Sequence, residues 1–216
     1  MSRVGLFGGT FNPIHNGHLK VAEQVLSYFP LWRIFFIPSY LPPHKEGQDL
    51  APAEHRLKMV ELACRHDRRF QVCDIEARMP QPSYSIITLR KLKEIYPDDF
   101  FLFIVGVDAF LEIDTWKDFS RLFEECSFIV VRRPGFGLEL LKSKIAGLQE
   151  KGLAVKIADW SDGQDKFLFG QVYVLDVATP DISSSEIRRR RRLGLPIRDL
   201  VPEEVAEYIE RYNLYK

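Results

Sequence analysis

The sequence predicts an α/β fold: an open parallel sheet with helices on both faces and a helical segment at its C-terminal end. Two observations carry that expectation. Short apolar runs alternate with amphipathic stretches along all 216 residues, and glycine, proline or charge bounds each run. The β-α-β-α order then requires crossovers, which are right-handed in parallel sheets.

Residues 3–7, 33–37, 70–73, 101–105, 128–131 and 172–175 are compact and rich in Val, Ile and Phe, as strands buried on both faces are. Between them Val21, Val25, Leu26 and Phe29 recur at helical spacing, as do Leu57, Val60 and Cys64, and Ile86, Leu89, Leu92 and Ile95. A last amphipathic helix is expected over residues 203–212, after Pro202. Residues 135–166 are less regular and read as an insertion or an edge unit. The whole, residues 1–216, reads as one domain in which 182–216 form a helical subdomain. Pro38, Pro42 and Pro43 mark a loop beyond the second strand, and Pro80 and Pro82 another before the third helix. Ligands of open α/β sheets sit beyond the carboxyl ends of strands, within reach of such loops.

Composition narrows the function. Lys+Arg and Asp+Glu both number 30, so nothing global favours nucleic acid or a membrane surface as partner. The three cysteines, Cys64, Cys73 and Cys126, form no CxxC pair, which suits reduced thiols and a cytoplasmic location. The start, MSRVGLFGG, lacks the apolar core of a signal peptide, and the densest apolar run, residues 100–107, is far short of a membrane span. A homo-oligomer is compatible with the sequence.

The strongest local signal is GLFGGTFNPIHNGH, residues 5–18, where a strand runs into Gly8 and Gly9 and a helix starts near Gly17 and His18. A glycine pair lets backbone approach a phosphate and turn its N–H groups inward. The helix start that follows adds dipole and free donors. His15 and His18, three residues apart, bring ring N–H groups to the same anion. The spacing is not the GxGxxG of dinucleotide-binding oxidoreductases. Gly8-Gly9 alone would be an ordinary turn. The histidine pair alone would suit a metal, but no cysteine or third histidine lies beside it, so no metal site is expected.

A second signal is DISSSEIR, residues 181–188. Ser183 as N-cap with Glu186 three residues on makes a capping box, leaving Ser184, Ser185 and Arg188 for an anion. The arginines of residues 188–192 point in several directions on a helix, and no aromatic platform accompanies them. They read as a solvated face with one functional Arg rather than as a nucleic-acid groove.

Together with PPHK (42–45), SYSIITL (83–89), GVDAF followed by TW (106–116), VVRRPG (130–135) and ISSSEIR (182–188), these signals stand in a fixed order along the chain. The set resembles the bacterial nicotinate-mononucleotide adenylyltransferase family, within the nucleotidyltransferase superfamily that carries the (T/H)xGH element. Asn12 stands where Asp is frequent, and Ser85 where Thr is frequent. The resemblance implies a Rossmann-like sheet and transfer of the adenylyl group of ATP to nicotinic acid mononucleotide, giving nicotinic acid adenine dinucleotide and pyrophosphate. It implies that Gly8, Gly9, Thr10 and Phe11 line the nucleotide cleft and that His15 and His18 contact ATP phosphates, His18 foremost. Lys45 reaches toward phosphate, while Ile182, Ser183, Ser184 and Arg188 close over ATP. Gly106 and Asp108 meet the adenosine, Asp108 its ribose. Trp116, Ser85, Thr88 and nearby N–H groups hold the nicotinate ring and carboxylate, with Arg133 near the substrate phosphate. Alone, Trp116 would be a core aromatic and Asp108 a helix N-cap.

The attacking 5′-phosphate is already an anion, so no general base is expected. The work is to align two polyanions and offset charge on the departing pyrophosphate, with a Mg²⁺ held by phosphates and water. Rival readings are an adenylyltransferase for nicotinamide mononucleotide or phosphopantetheine, and a nucleotide-binding regulator without catalysis.

Overall fold

The computed structural model describes residues 2–41, 50–79, 82–132, 137–158 and 168–216. In chain order these form β1 (Arg3–Gly9), α1 (Asn16–Tyr28), β2 (Arg33–Pro38), α2 (Ala53–Ala63), β3 (Phe70–Val72), α3 (Ser85–Ile95), β4 (Phe100–Gly106), α4 (Val107–Leu111) and α5 (Phe119–Glu125). They continue with β5 (Ser127–Arg132), α6 (Leu138–Glu150), β6 (Lys156–Ala158), β7 (Gln171–Asp176), α7 (Ser184–Arg192) and α8 (Glu203–Arg211).

The strands make one sheet in the order β3-β2-β1-β4-β5-β7-β6, and the pairs β1–β4, β2–β3, β4–β5, β5–β7 and β6–β7 all run parallel. The open, Rossmann-like α/β architecture expected from the alternating runs is therefore present. Strand order reverses at β1, whose carboxyl end is Gly8-Gly9, the place where such sheets take ligands. β4 explains why its sequence is so apolar: every residue from Phe100 to Val105 is buried, so no alternation is needed.

Two compact units can be distinguished. One comprises Met1–Phe7, Val25–Trp32 and Tyr84–Ala178. Its core holds an aromatic cluster in which Phe128 meets Phe123 at 5.0 Å, Phe110 at 5.5 Å and Phe103 at 5.9 Å between ring centroids, spacings that favour offset and edge contacts. The other comprises Gly8–Gln24, Arg33–Ser83 and Thr179–Lys216. There α2 packs on α8, burying Met59, Val60 and Ala63 of the first and Val205, Ala206 and Ile209 of the second. His55 Nδ1 lies 2.9 Å from the Tyr208 hydroxyl at the edge of that seam.

The sequence reading missed four elements. α4 and α5 span five and seven residues, too few for a helical period to show. The segment read as irregular holds α6, which buries Leu141, Ile145 and Leu148 at helical spacing, and β6, a three-residue edge strand with Lys156 and Ile157 exposed. A short, charged edge strand limits stray pairing and gives almost no sequence signal. Among the described residues no helix is long and apolar enough to cross a membrane.

Candidate active site

Four carbonyls at and just beyond the end of β1 are each held by a donor. Gly9 O accepts from the Ser39 N–H at 2.9 Å, and Thr10 O from an Arg56 guanidinium N–H at 2.8 Å. Asn12 O accepts from Arg188 at 2.9 Å, and Pro13 O from the Ser184 hydroxyl at 2.9 Å. In a trans peptide the N–H opposes the C=O. The N–H groups of Thr10, Phe11 and Ile14 therefore point away from these donors, as an anion-binding loop requires. The Asn12–Pro13 peptide is cis and has no N–H to place. A side chain added at Gly8 would meet nothing within 4 Å, so the backbone there is open to a ligand.

A column of rings sets the histidines. Phe11 has φ +46°, a left-handed conformation costly for a bulky residue, and its ring lies so close to Gly9 that a Cβ there would come within 3.1 Å. Phe11 meets His18 edge-on, centroids 5.1 Å apart. His18 stacks on His15 at 3.7 Å. His15 in turn lies against Gly17, where a Cβ would fall 3.0 Å from its Nδ1. Any larger residue there would require the ring to shift.

The two histidines differ in burial. His15 is 7% exposed, and burial holds its pKa down at about 4, so it is neutral at neutral pH. Its buried Nδ1 has no hydrogen-bond partner among the described residues. His18 Nδ1 accepts the His15 backbone N–H at 3.2 Å, which places the ring proton of the neutral tautomer on Nε2. His18, the more exposed of the two, thus presents an N–H donor, with His15 as the platform beneath it.

α7 is joined to this loop. Ser183 is its N-cap, its hydroxyl accepting the Glu186 N–H at 3.2 Å, as the capping motif predicts. The Glu186 carboxylate turns to Arg189 and Arg190 instead of completing the box, and those hydrogen bonds hold it at about 2. Arg190 also reaches Asp199. Arg189 and Arg190 are therefore paired within their own helix and the loop after it. Ser184 donates to Pro13 O, and Arg188 to Asn12 O and the Ser185 hydroxyl, and the Arg188 Nε is buried without a partner among the described residues. Ile182 Cβ sits 3.9 Å from where a Gly17 side chain would begin.

In the other unit, Gly106 closes β4 and caps α4, and Asp108 lies exposed in the first turn rather than at the N-cap. Ser85 opens α3 half-buried. Thr88 is buried, its hydroxyl donating to Tyr84 O at 3.3 Å. Trp116, half-buried, follows a 3-10 turn whose Ile113 O accepts its N–H, so it is not a core aromatic. Next to it, Lys117 Nζ stands 4.6 Å over the Tyr84 ring. Lys45 and Arg133 lie outside the described residues.

A family model described as cytidylyltransferase-like matches residues 6–190. A protein of Symbiobacterium thermophilum named as a nicotinate-nucleotide adenylyltransferase is 39% identical over 215 residues, covering 100% of this chain and 96% of its own. One of the same name from Citrifermentans bemidjiense is 43% identical over 217 residues, covering 99% and 98%. The chain belongs to the nicotinate-nucleotide adenylyltransferases, within the cytidylyltransferase-like family. The fold likeness extends to the Plasmodium falciparum nicotinic acid mononucleotide adenylyltransferase complexed with NaAD, with a TM-score of 0.76 at 21% identity over 100% of this chain and 98% of that one.

Against the adenylyltransferase pattern, the departure at Asn12 is chemically mild. Asn12 is 7% exposed, and its Oδ1 accepts from the Ala51 N–H at 3.1 Å and the Tyr215 hydroxyl at 2.8 Å. A carboxylate oxygen would accept both equally well. Two residues that build this adenylyltransferase loop escaped the sequence reading. Tyr215 reaches Asn12 from 203 positions away. Arg56, 1% exposed, shares the buried face of α2 with Met59, Val60 and Ala63. A charged residue at helical spacing from an apolar stripe was the signal available for it.

Proposed function

We propose that the loop of residues 8–18 is the phosphate site of an enzyme that transfers the adenylyl group of ATP to nicotinic acid mononucleotide in NAD biosynthesis. The observation that carries this reading is the loop's polarity. Four of its carbonyls, those of Gly9, Thr10, Asn12 and Pro13, are held by Ser39, Arg56, Arg188 and Ser184, which turns the N–H ends of the peptides at Thr10, Phe11 and Ile14 toward the polyanion.

The acceptor's 5′-phosphate attacks the α-phosphorus of ATP, and pyrophosphate departs carrying the bond's electron pair. Gly8 and Gly9 let the triphosphate lie close to backbone. His18 donates to an oxygen whose charge grows as the bond breaks, and His15 fixes its plane. His18 Nδ1 already accepts the His15 N–H, so the ring works through its Nε2 proton. Ser184 and Arg188 act through the carbonyls they hold, Arg188 adding its charge, and Ile182 and Ser183 border the same loop. Lys45 adds a second cation. Gly106 and Asp108 receive the adenosine, while Trp116 stacks on the pyridine ring beside Ser85, Thr88 and Arg133. The loop's donors are N–H groups that take phosphate oxygens. A Mg²⁺ would accordingly take its ligands from phosphates and water rather than from this loop, and would supply positive charge to offset that on the leaving pyrophosphate. The unpaired cysteines, Cys64 and Cys126 buried, support a cytoplasmic setting.

The test is pyrophosphate release from ATP with nicotinic acid mononucleotide or its amide. Faster turnover with the acid is expected. Equal or faster turnover with the amide overturns the acceptor assignment, and silence with both overturns the enzyme reading.

A further inference from the structure

A buried cation stands behind the phosphate loop. The Arg56 guanidinium donates to four backbone carbonyls: Ala51 from Nε at 3.0 Å, Thr10 and Ser39 at 2.8 and 2.6 Å, and Tyr40 at 2.9 Å. These carbonyls belong to three separate stretches. Thr10 lies in the phosphate loop, Ser39 and Tyr40 follow β2, and Ala51 precedes α2. Ala51 is also held by its N–H, which donates to Asn12 Oδ1 at 3.1 Å, and the Ser39 N–H donates to Gly9 O at 2.9 Å.

Burying a guanidinium costs several kcal/mol unless its donors are satisfied. An apolar side chain of similar size would fill the space on α2 beside Met59 and Val60 more cheaply. What it would lack is a planar fork that fixes several acceptors in one plane. Lysine, with one tetrahedral ammonium, cannot span acceptors from three stretches.

We propose that Arg56 is a positioning residue for the phosphate site. It sets the Thr10–Phe11 peptide plane, so that the Phe11 N–H faces the anion. It also holds the chain on either side of residues 42–49 at a fixed distance from the loop. The role rests on the reading of residues 8–18 as a phosphate site and touches no substrate.

The test uses the full chain with Arg56→Lys and Arg56→Ala. Pyrophosphate binding is measured by calorimetry, KM for ATP and for the mononucleotide together with kcat, and folding by urea unfolding. The expected result for Arg56→Lys is cooperative unfolding with a pyrophosphate Kd and an ATP KM each raised at least about tenfold, since small misplacements of binding groups are costly. The mononucleotide KM should stay within about twofold, because the loop is not assigned to that substrate. Low-millimolar guanidinium, but not sodium chloride, should restore ATP turnover to Arg56→Ala by filling the vacated space. Wild-type constants in a folded Arg56→Lys overturn the proposal, as does a folded Arg56→Ala that guanidinium does not rescue. Loss of cooperative unfolding in both variants also overturns it, by making Arg56 a requirement of the fold alone. Wild-type protein that fails to bind pyrophosphate overturns the phosphate-site reading instead, and the positioning role with it.

Discussion

Acid should weaken this protein through one buried ring. His15 lies between Gly17 and His18 with 7% of its surface exposed, and burial moves its pKa from 6.5 to about 4. Well above pH 6.5 the ring is neutral in both folded and unfolded chains, and it contributes nothing to the pH dependence. As pH falls below that value the unfolded chain takes up a proton that the folded one refuses. Stability is therefore lost between 6.5 and about 4, and the loss levels off below. The full gap is worth about 3 kcal/mol, and about 2 kcal/mol is already lost at about pH 5. The assay is urea unfolding of wild type and His15→Asn at about pH 7.5 and about pH 5. Carboxylates titrate in both proteins, so the difference between the two losses isolates the ring. Wild type should lose about 2 kcal/mol more than the variant over that interval. Equal losses would show that His15 is not buried neutral, and the column of rings beneath His18 would have no basis.

Other substitutions separate donor from scaffold. His18→Ala should lower kcat by about 10²–10³-fold, the usual cost of one transition-state donor. His18→Gln, whose amide reaches the Nε2 position, should retain more than His18→Asn; variants all within about threefold of wild type would remove His18 from the chemistry. Gly8→Ala should leave the melting temperature unchanged or slightly higher, since its side chain meets nothing within 4 Å and its backbone is not left-handed, yet raise the KM for ATP. An unchanged KM would mean no ligand approaches Gly8. Gly17→Ala puts a methyl 3.0 Å from His15 Nδ1, and should destabilise by about 1–3 kcal/mol despite alanine's better helix propensity. A urea midpoint at or above wild type would show that the ring yields freely.

What could be read from sequence was what is local in sequence. Six strands, the glycine pair, both histidines and the Ser183 cap all declare themselves within a few residues, because strand runs, helix starts and caps are made by neighbours. α6 was legible in principle, since Leu141, Ile145 and Leu148 keep helical spacing; exposed Leu140 and the mid-helix Gly147 blur the stripe. The Arg56 clamp was not legible. Its acceptors are backbone carbonyls as many as 46 positions away, and a carbonyl carries no residue identity. The different duties of His15 and His18 were hidden for a related reason, since burial and one backbone N–H decide them. Trp116, Ser85 and Thr88 were legible as motif letters, but only the fold separates the buried Thr88 hydroxyl, spent on Tyr84, from the half-buried Trp116.

The proposed phosphate site of residues 8–18 also resolves an apparent conflict between composition and chemistry. A chain of zero formal net charge is an unlikely receptor for two polyanions on global electrostatics alone. Two of its cations, however, are placed behind the loop and bonded to carbonyls. Arg56 donates to Thr10 and Arg188 to Asn12, so each guanidinium keeps its charge while fixing a peptide. A cation at the carbonyl end of a peptide polarises it and strengthens its N–H as a donor, and in a low-dielectric setting that effect carries further than in water. The loop thus gains orientation and field from the same two side chains. Net charge says nothing about this, because what matters is where a few guanidiniums find carbonyl partners and which way the opposite ends of those peptides face.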